Sequence, residues 1–255
     1  MCQWSVIQGG TKRIGYIRIV SFEAEDPQWF ASEVRAILQQ LPQDRLIIDL
    51  RANPGGNILC GEALLQMLCR EPIEPAPVSF RCTNATRRLA NSIDYFKQWM
   101  PSLNLVYETG EVFSQGYPLS EPDFLRTIQS VYSGRVAIVV DGLSYSTTDV
   151  FAAGFADHKR GAIIGVDPMM GAGGANVWSH QVIAQFAVAA GLPGLTPLPK
   201  GASNVAVRRS LRVRSSRDLP VENLGARPGH LYKLTMRDIL SKNEDLIEYA
   251  ARLLE

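Results

Sequence analysis

The 255-residue sequence predicts an α/β protein. Three observations carry that expectation. Strand-like and helix-like segments alternate through the first 70 residues. The links between them are tight and rich in Pro and Gly. The strand candidates "RLIIDL" (45–50) and "GRVAIVV" (134–140) are continuous apolar runs, as strands buried on both faces tend to be.

The elements follow in order. "RIGYIRIVSF" (13–22) alternates and is rich in β-formers, which indicates a strand. In the next segment Asp26 is placed to cap a helix and Pro27 occupies its first position. Phe30, Val34, Ile37, Leu38 and Leu41 then share one helical face. "RLIIDL" is a buried parallel strand, "RANPGGN" breaks it, and "ILCGEALLQMLC" is a second helix. Residues 71–130 differ in character, with several prolines, a basic helical piece ("RRLANSIDYFKQWM") and a Gly/Ser/Tyr-rich stretch. They are expected to form a cap or insertion, dividing the core into residues 1–70 and 131–255. "GRVAIVV" resumes the core, followed by a helix over "STTDVFAAGFADH", a strand at "GAIIGV" and a Gly-rich turn at "GAGGAN". "NVAVRRSLRVR" (204–214) alternates like a strand, with Arg208, Arg209, Arg212 and Arg214 expected on a solvated face or, as an alternative, on a substrate carboxylate. "TMRDIL" and "NEDLIEYAARLLE" close the chain as helices, the last with Asn243 as its expected cap.

Composition narrows the function. A 46% hydrophobic and 20% charged chain is an ordinary soluble globular protein, and a net charge of +1 gives no support for nucleic-acid or acidic-membrane partners. No run reaches the length of a membrane span, and the first residues lack the pattern of a signal peptide. The expected location is therefore the cytoplasm, or the chain is a domain of a longer exported protein; its oligomeric state is open. Cys2, Cys60, Cys69 and Cys82 have no metal-like spacing with a histidine and are expected to be reduced, partly buried thiols. No metal or cofactor is expected.

The chemistry concentrates in "DGLSYSTTDVFAAGF" (141–155), where Ser144, Ser146, Thr147, Thr148 and Asp149 sit between strand and helix. Ser146 and Asp149 form a Ser-x-x-Asp capping-box pattern, which by itself needs no further explanation. The same geometry also suits an acyl-transfer nucleophile. A serine at a strand-to-helix turn points away from the sheet beside exposed N–H groups, and the amide of the next residue, Thr147, is an oxyanion donor. Ser144 is the rival nucleophile, but it falls ahead of the helix and is expected to be structural. In "IIDLRANPGG" (47–56), Gly55 and Gly56 leave backbone N–H groups bare and could supply the second donor. A side chain at Gly56 is expected to intrude where the substrate oxygen binds.

Taken together, "DLRANPGG", the later "DGLSYSTTDVFAAGFADHKRGAIIGVDPMMGAGG" and the C-terminal "DLPVENLGARPGHLYKLTMRDILSKNEDLIEYAARLL" resemble the C-terminal processing (tail-specific) serine peptidases, a group that includes the tricorn core. The resemblance spans residues 13–254 and implies a ClpP/crotonase-like core of stacked β-β-α units, without an evident PDZ module, that hydrolyses peptides or proteins. It places the nucleophile at Ser146, a supporting acid at Asp149, and oxyanion donors at Thr147 and Gly55/Gly56. The lysine base of the tail-specific peptidases falls on Ala172, and a glutamine four residues on falls on Asn176. An alanine cannot take a proton from Ser146. The tricorn-like branch uses a histidine that precedes the nucleophile, whereas His158, His180 and His230 all follow Ser146. The candidates for another base are His180 and His230, then Lys159 and Lys200, each lysine requiring strong desolvation. Two rival functions remain at this level. One is a non-catalytic peptide- or ligand-binding protein on the same scaffold, favoured by Ala172. The other is a crotonase-type acyl-CoA enzyme.

Overall fold

The computed structural model describes residues 2–9, 12–191 and 204–255. Strand β1 (Cys2–Gly9) pairs antiparallel with β2 (Lys12–Ile19). Helix α1 (Pro27–Gln40) begins as the sequence requires, the Asp26 side chain accepting the Gln28 N–H at 2.8 Å, and buries Phe30, Val34 and Leu38. Then come β3 (Arg45–Asp49) and α2 (Ile58–Leu68), whose first turn is capped by Asn57. Residues 71–130 carry β4 (Pro77–Phe80), α3 (Asn84–Ser92), a 3₁₀ turn at Asp94–Trp99, α4 (Met100–Thr109), β5 (Tyr117–Pro118) and α5 (Pro122–Thr127). The remainder is β6 (Arg135–Val140), α6 (Thr147–Asp157), β7 (Gly161–Gly165), β8 (Ala175–Ser179), α7 (His180–Ala189), β9 (Asn204–Ser210), β10 (His230–Leu231), α8 (Met236–Leu240) and α9 (Glu244–Leu253).

Six strands form one sheet in the order β1-β2-β3-β6-β7-β10, parallel except for the β1–β2 hairpin. Its side chains alternate between two cores. Leu46, Ile48, Val136, Ile138 and Val140 pack with residues of α1, α2 and α6, while Ile47, Ala137 and Val139 pack with Leu246, Ala250 and Leu254. Both faces are covered, which is why these strands read as unbroken apolar runs. The hairpin strand β1 gave no such signal because most of its residues are exposed.

A second, four-stranded sheet has the order β5-β4-β9-β8. It draws β4 and β5 from residues 71–130 and β8 and β9 from beyond α6, so the lobe beside the core is not confined to the segment expected to form a cap. An aromatic core of Phe80, Phe96, Trp99 and Trp178 fills one side of it. Two other expectations change. Asn243 precedes α9 but its side chain does not cap it; Oδ1 accepts from Arg51 Nη1 at 3.0 Å instead. The arginines of 208–214 are not a solvated face: Arg208 is buried, and Arg212 pairs with Asp157 at 2.6 Å. Among the described residues no helix is long and apolar enough to cross a membrane.

Candidate active site

The site forms where β3 and β6 end side by side in the parallel sheet. The turn after β6 is tied to the turn after β3 by hydrogen bonds. Asp141 accepts from the Ala52 N–H at 3.0 Å, the Tyr145 N–H donates to Asn53 O at 3.0 Å, and Thr148 Oγ1 donates to the same carbonyl at 3.1 Å. The Ser144 hydroxyl is buried within 3.0 Å of Leu50 O and 2.9 Å of Asp141 Oδ1, which makes it structural.

Ser146 is different. It stands at φ 57°, ψ −117°, a backbone conformation that L-residues adopt at a cost of about 1–3 kcal/mol. α6 starts at the next residue, yet the Ser146 side chain makes no capping hydrogen bond. The Ser146 half of the capping box is therefore unmade, the Ser146 backbone lies near enough to Asp149 to help lower its pKa, and Ser146 itself is half-buried at the start of α6.

Gly55 lies directly against this residue: a Cβ on it would stand 2.6 Å from Ser146 Cβ and 2.7 Å from Thr147 N. Its N–H is already committed to Asn53 Oδ1 at 2.9 Å, so Gly55 permits the close approach and is not a donor to substrate. Gly56 follows at φ 138°, and its carbonyl accepts from Thr147 Oγ1 at 2.6 Å. The N–H groups of Gly56 and Thr147 donate to no described residue. A Cβ on Gly56 would overlap the Phe22–Glu23 backbone rather than enter the cleft, so the reason this position must be glycine is packing against the end of β2. Asn53 was missed at the sequence level. The Asx turn implicit in "NPGG" was the signal for it.

Asp149 holds the glycine-rich turn in place. Its carboxylate accepts from Ala172 N–H at 3.0 Å and Gly173 N–H at 2.9 Å. Burial pushes its pKa up to about 6, against the lowering effect of those backbone donors. The Tyr145 ring lies over the same turn, and a Cβ on Gly173 would overlap it. Ala172 sits in the left-handed region at φ 52°, its carbonyl accepting from Asn223 N–H at 2.8 Å. Further back, Asp49 takes two hydrogen bonds from the Arg51 side chain (2.9 and 2.6 Å), one from the Arg51 N–H (3.1 Å) and one from Tyr16 (2.7 Å). Burial raises the Asp49 pKa, but Arg51 more than offsets this and holds it low.

The expected substitute bases are not brought to Ser146. Lys159 follows the C-terminal end of α6, about 16 Å along the axis of an 11-residue helix from Ser146. His158, at the same end, spans Gly154 O (2.8 Å) and Glu74 N–H (3.0 Å). His180 opens α7 at the far end of β8, about 20 Å of extended chain from Gly173. His230 sits on β10, two strands from β6. Asn176, at the glutamine position, is taken up by Arg208, whose Nε donates to Asn176 Oδ1 at 3.0 Å. Lys200 lies outside the described residues. No described side chain hydrogen-bonds to Ser146 Oγ.

The model of peptidase family S41 matches residues 13–185, more than half of the chain, and includes Gly55, Gly56, Ser146, Asp149 and Ala172. The chain belongs to peptidase family S41. Its fold is shared with several solved structures. Mature CPAF complexed with lactacystin superposes with a TM-score of 0.67 at 19% identity, covering 99% of this chain and 55% of that one. The photosystem II D1 C-terminal processing protease gives 0.54 at 15% identity, over 99% and 52%. A lipoprotein from Streptococcus agalactiae gives 0.56 at 11% identity, over 96% and 69%. This S41 chain thus spans about half the length of the first two. No curated protein matches its sequence.

Proposed function

We propose that this S41 chain is a serine-type peptidase core that cleaves peptide bonds through an acyl-enzyme on Ser146. The observation that carries the proposal is the strained, uncapped Ser146 at the start of α6, with the unpaired N–H groups of Gly56 and Thr147 beside it. Ser146 Oγ attacks the scissile carbonyl as its proton passes to a base. The carbonyl oxygen becomes an oxyanion held by Gly56 and Thr147 N–H and favoured by the helix dipole. The C–N bond breaks, the amine leaves with a proton, and water hydrolyses the ester to free Ser146. Asp149 and Asn53 position the two turns and transfer nothing.

We read the core as ClpP/crotonase-like, a reading supported by the β1-β2-α1 start and by an oxyanion site between two parallel strand ends. Peptides and proteins are the substrate class, and C-terminal processing is the activity we extend to it from the D1 processing protease. The base is sought by test among His180, His230, Lys159 and Lys200. Asn176, whose Oδ1 accepts from Arg208, has no titratable proton to serve as one.

A fluorophosphonate probe should add its mass to Ser146 and to no other residue. Loss of labelling in Ser146→Ala supports the assignment, and a matching loss in one alanine variant among His180, His230, Lys159 and Lys200 identifies the base. Labelling that appears only in Ala172→Lys marks a peptidase scaffold without its dyad. An unlabelled protein in every form would replace the proposal with the binding function that Ala172 favours.

A further inference from the structure

Three cations collect at the opposite end of α6 from Ser146. Arg70 follows α2, Arg160 follows α6, and Arg214 lies in the turn after β9. Together with Glu71, Ser133 and His158 they line one cavity of about 320 Å³. That volume lies within the small-ligand range of about 300–1,000 Å³. Arg160 is half-buried and held in place by carbonyl groups. Its Nε donates to Leu68 O, and its Nη2 donates to Gly134 O at 2.6 Å and to Tyr132 O at 3.2 Å. Its Nη1 donates to no described residue and is not buried. Arg70 and Arg214 are exposed, and no described residue accepts from either guanidinium.

The described residues leave these charges uncompensated. Arg18, Arg51, Arg126, Arg212, Arg217 and Arg237 all form ion pairs; among the described residues Arg70, Arg160 and Arg214 form none. Burial lowers the Arg160 pKa, and repulsion from Arg70 adds to it. His158 contributes no charge. Its Nε2 accepts from Glu74 N–H, its Nδ1 therefore donates to Gly154 O, and burial, aided by Arg214, holds its pKa below the ordinary value. Three guanidinium groups against the single carboxylate of Glu71 leave the lining with an excess of positive charge. A phosphate monoester carries a charge of about −1.5 to −2 at neutral pH on three oxygens that point apart. Guanidinium groups from three separate chain segments suit that shape better than the flat, two-oxygen edge of a carboxylate.

We infer that Arg70, Arg160 and Arg214 form a binding site for a phosphate-class dianion, with Arg160 Nη1 as its fixed donor and Ser133 Oγ as a neutral one. The site is separate from the cleft, because the length of α6, about 16 Å, lies between Ser146 and Arg160. A bound anion ties the end of α2 and the turn after β9 to the end of α6, and so braces the helix that starts beside Ser146. The inference does not depend on the peptidase reading.

Isothermal titration of the whole chain with inorganic phosphate, and separately with AMP, tests it, with chloride holding the ionic strength constant. Inorganic phosphate reports on a free anion, and AMP on a phosphate carried by a larger molecule. At least one should bind saturably and raise the melting temperature. Arg70→Gln and Arg214→Gln should each weaken that binding at least about tenfold. Arg88→Gln, on α3 and outside the cavity, should leave it unchanged. Melting curves without ligand show whether the variants fold. Phenylglyoxal modification read by peptide mass needs no variant: the bound probe should protect Arg70 and Arg214 and leave Arg88 reactive. Absence of saturable binding by both probes overturns the inference. So does binding that survives Arg70→Gln and Arg214→Gln, or that Arg88→Gln weakens equally, since either result marks an adventitious ion only. Fluorophosphonate labelling of Ser146 is a separate readout, so failure at this cavity is distinguishable from failure of the peptidase reading.

Discussion

Ser146 holds a backbone conformation that glycine adopts freely, and its side chain contributes no cap in return. Ser146→Gly should therefore stabilise the protein by about 1 kcal/mol. Ser146→Ala should leave stability nearly unchanged. Both should abolish probe labelling, and denaturant unfolding read beside labelling checks the pair. Equal stability of the two variants would count against strain at this residue. Gly56 gives the opposite result. At φ 138°, with Phe22 and Glu23 backbone where a Cβ would go, Gly56→Ala should destabilise by more than about 3 kcal/mol. Activity should fall because the β2 end is displaced, not because the cleft is filled. A variant that melts like the parent but has lost activity would sink this account.

Single elements carry charge in places where it can be read out. Glu62, on α2, is buried and reaches both Ser120 Oγ and the Ala76 N–H (2.8 Å), joining the core helix to two points of the 71–130 segment. Burial pushes its pKa from 4.5 up to about 7, against the lowering effect of those two donors. The folded state thus holds a proton that the unfolded state has lost between those values. Stability is highest below about 4.5 on this account and falls as pH rises toward 7, by about 3 kcal/mol. Asp149, raised from 3.8 to about 6, acts with the same sign. Glu62→Gln keeps an acceptor for Ala76 and should flatten most of the slope between pH 5 and pH 8. Unfolding midpoints measured across that range test it, and an unchanged slope would assign the dependence elsewhere. The Arg51–Asp49 pair also belongs to this scale. It fixes the end of β3 and reaches across to Asn243, so Arg51→Ala should cost about 3 kcal/mol by leaving the buried carboxylate with only Tyr16 and the longer Arg18 contact at 3.6 Å as side-chain partners.

For the molecule as a whole, the second sheet decides what can be separated. β4 pairs with β9 from Val78↔Ser210 to Phe80↔Arg208, across a gap of more than a hundred residues. Removal of residues 77–118 would strip β9 of that neighbour and open the aromatic core around Phe80 and Trp99. The remaining chain should lose cooperative unfolding rather than persist as a minimal active core. A sharp thermal transition in the truncated protein would show that the two lobes are independent.

The sequence by itself determined the buried strands at 45–50 and 134–140, because covering both faces of a parallel sheet leaves an unbroken apolar record. It also determined the start of α1 and the position of Ser146, since caps, proline and glycine act within a few residues. It did not determine which glycine donates. That depended on Asn53 spending its side chain on Gly55, a choice visible only when the Asx turn is folded against Ile19. It placed Arg208 on a solvated face, because alternation fixes which side a residue faces and not what packs there. The partners of Arg208 come from β4, β8 and the 94–99 turn, and only the tertiary structure brings them together. The same holds for the candidate bases. A histidine or lysine in sequence is a list of chemistry, whereas α6 and β8 are rigid elements whose lengths put Lys159 and His180 far from the serine.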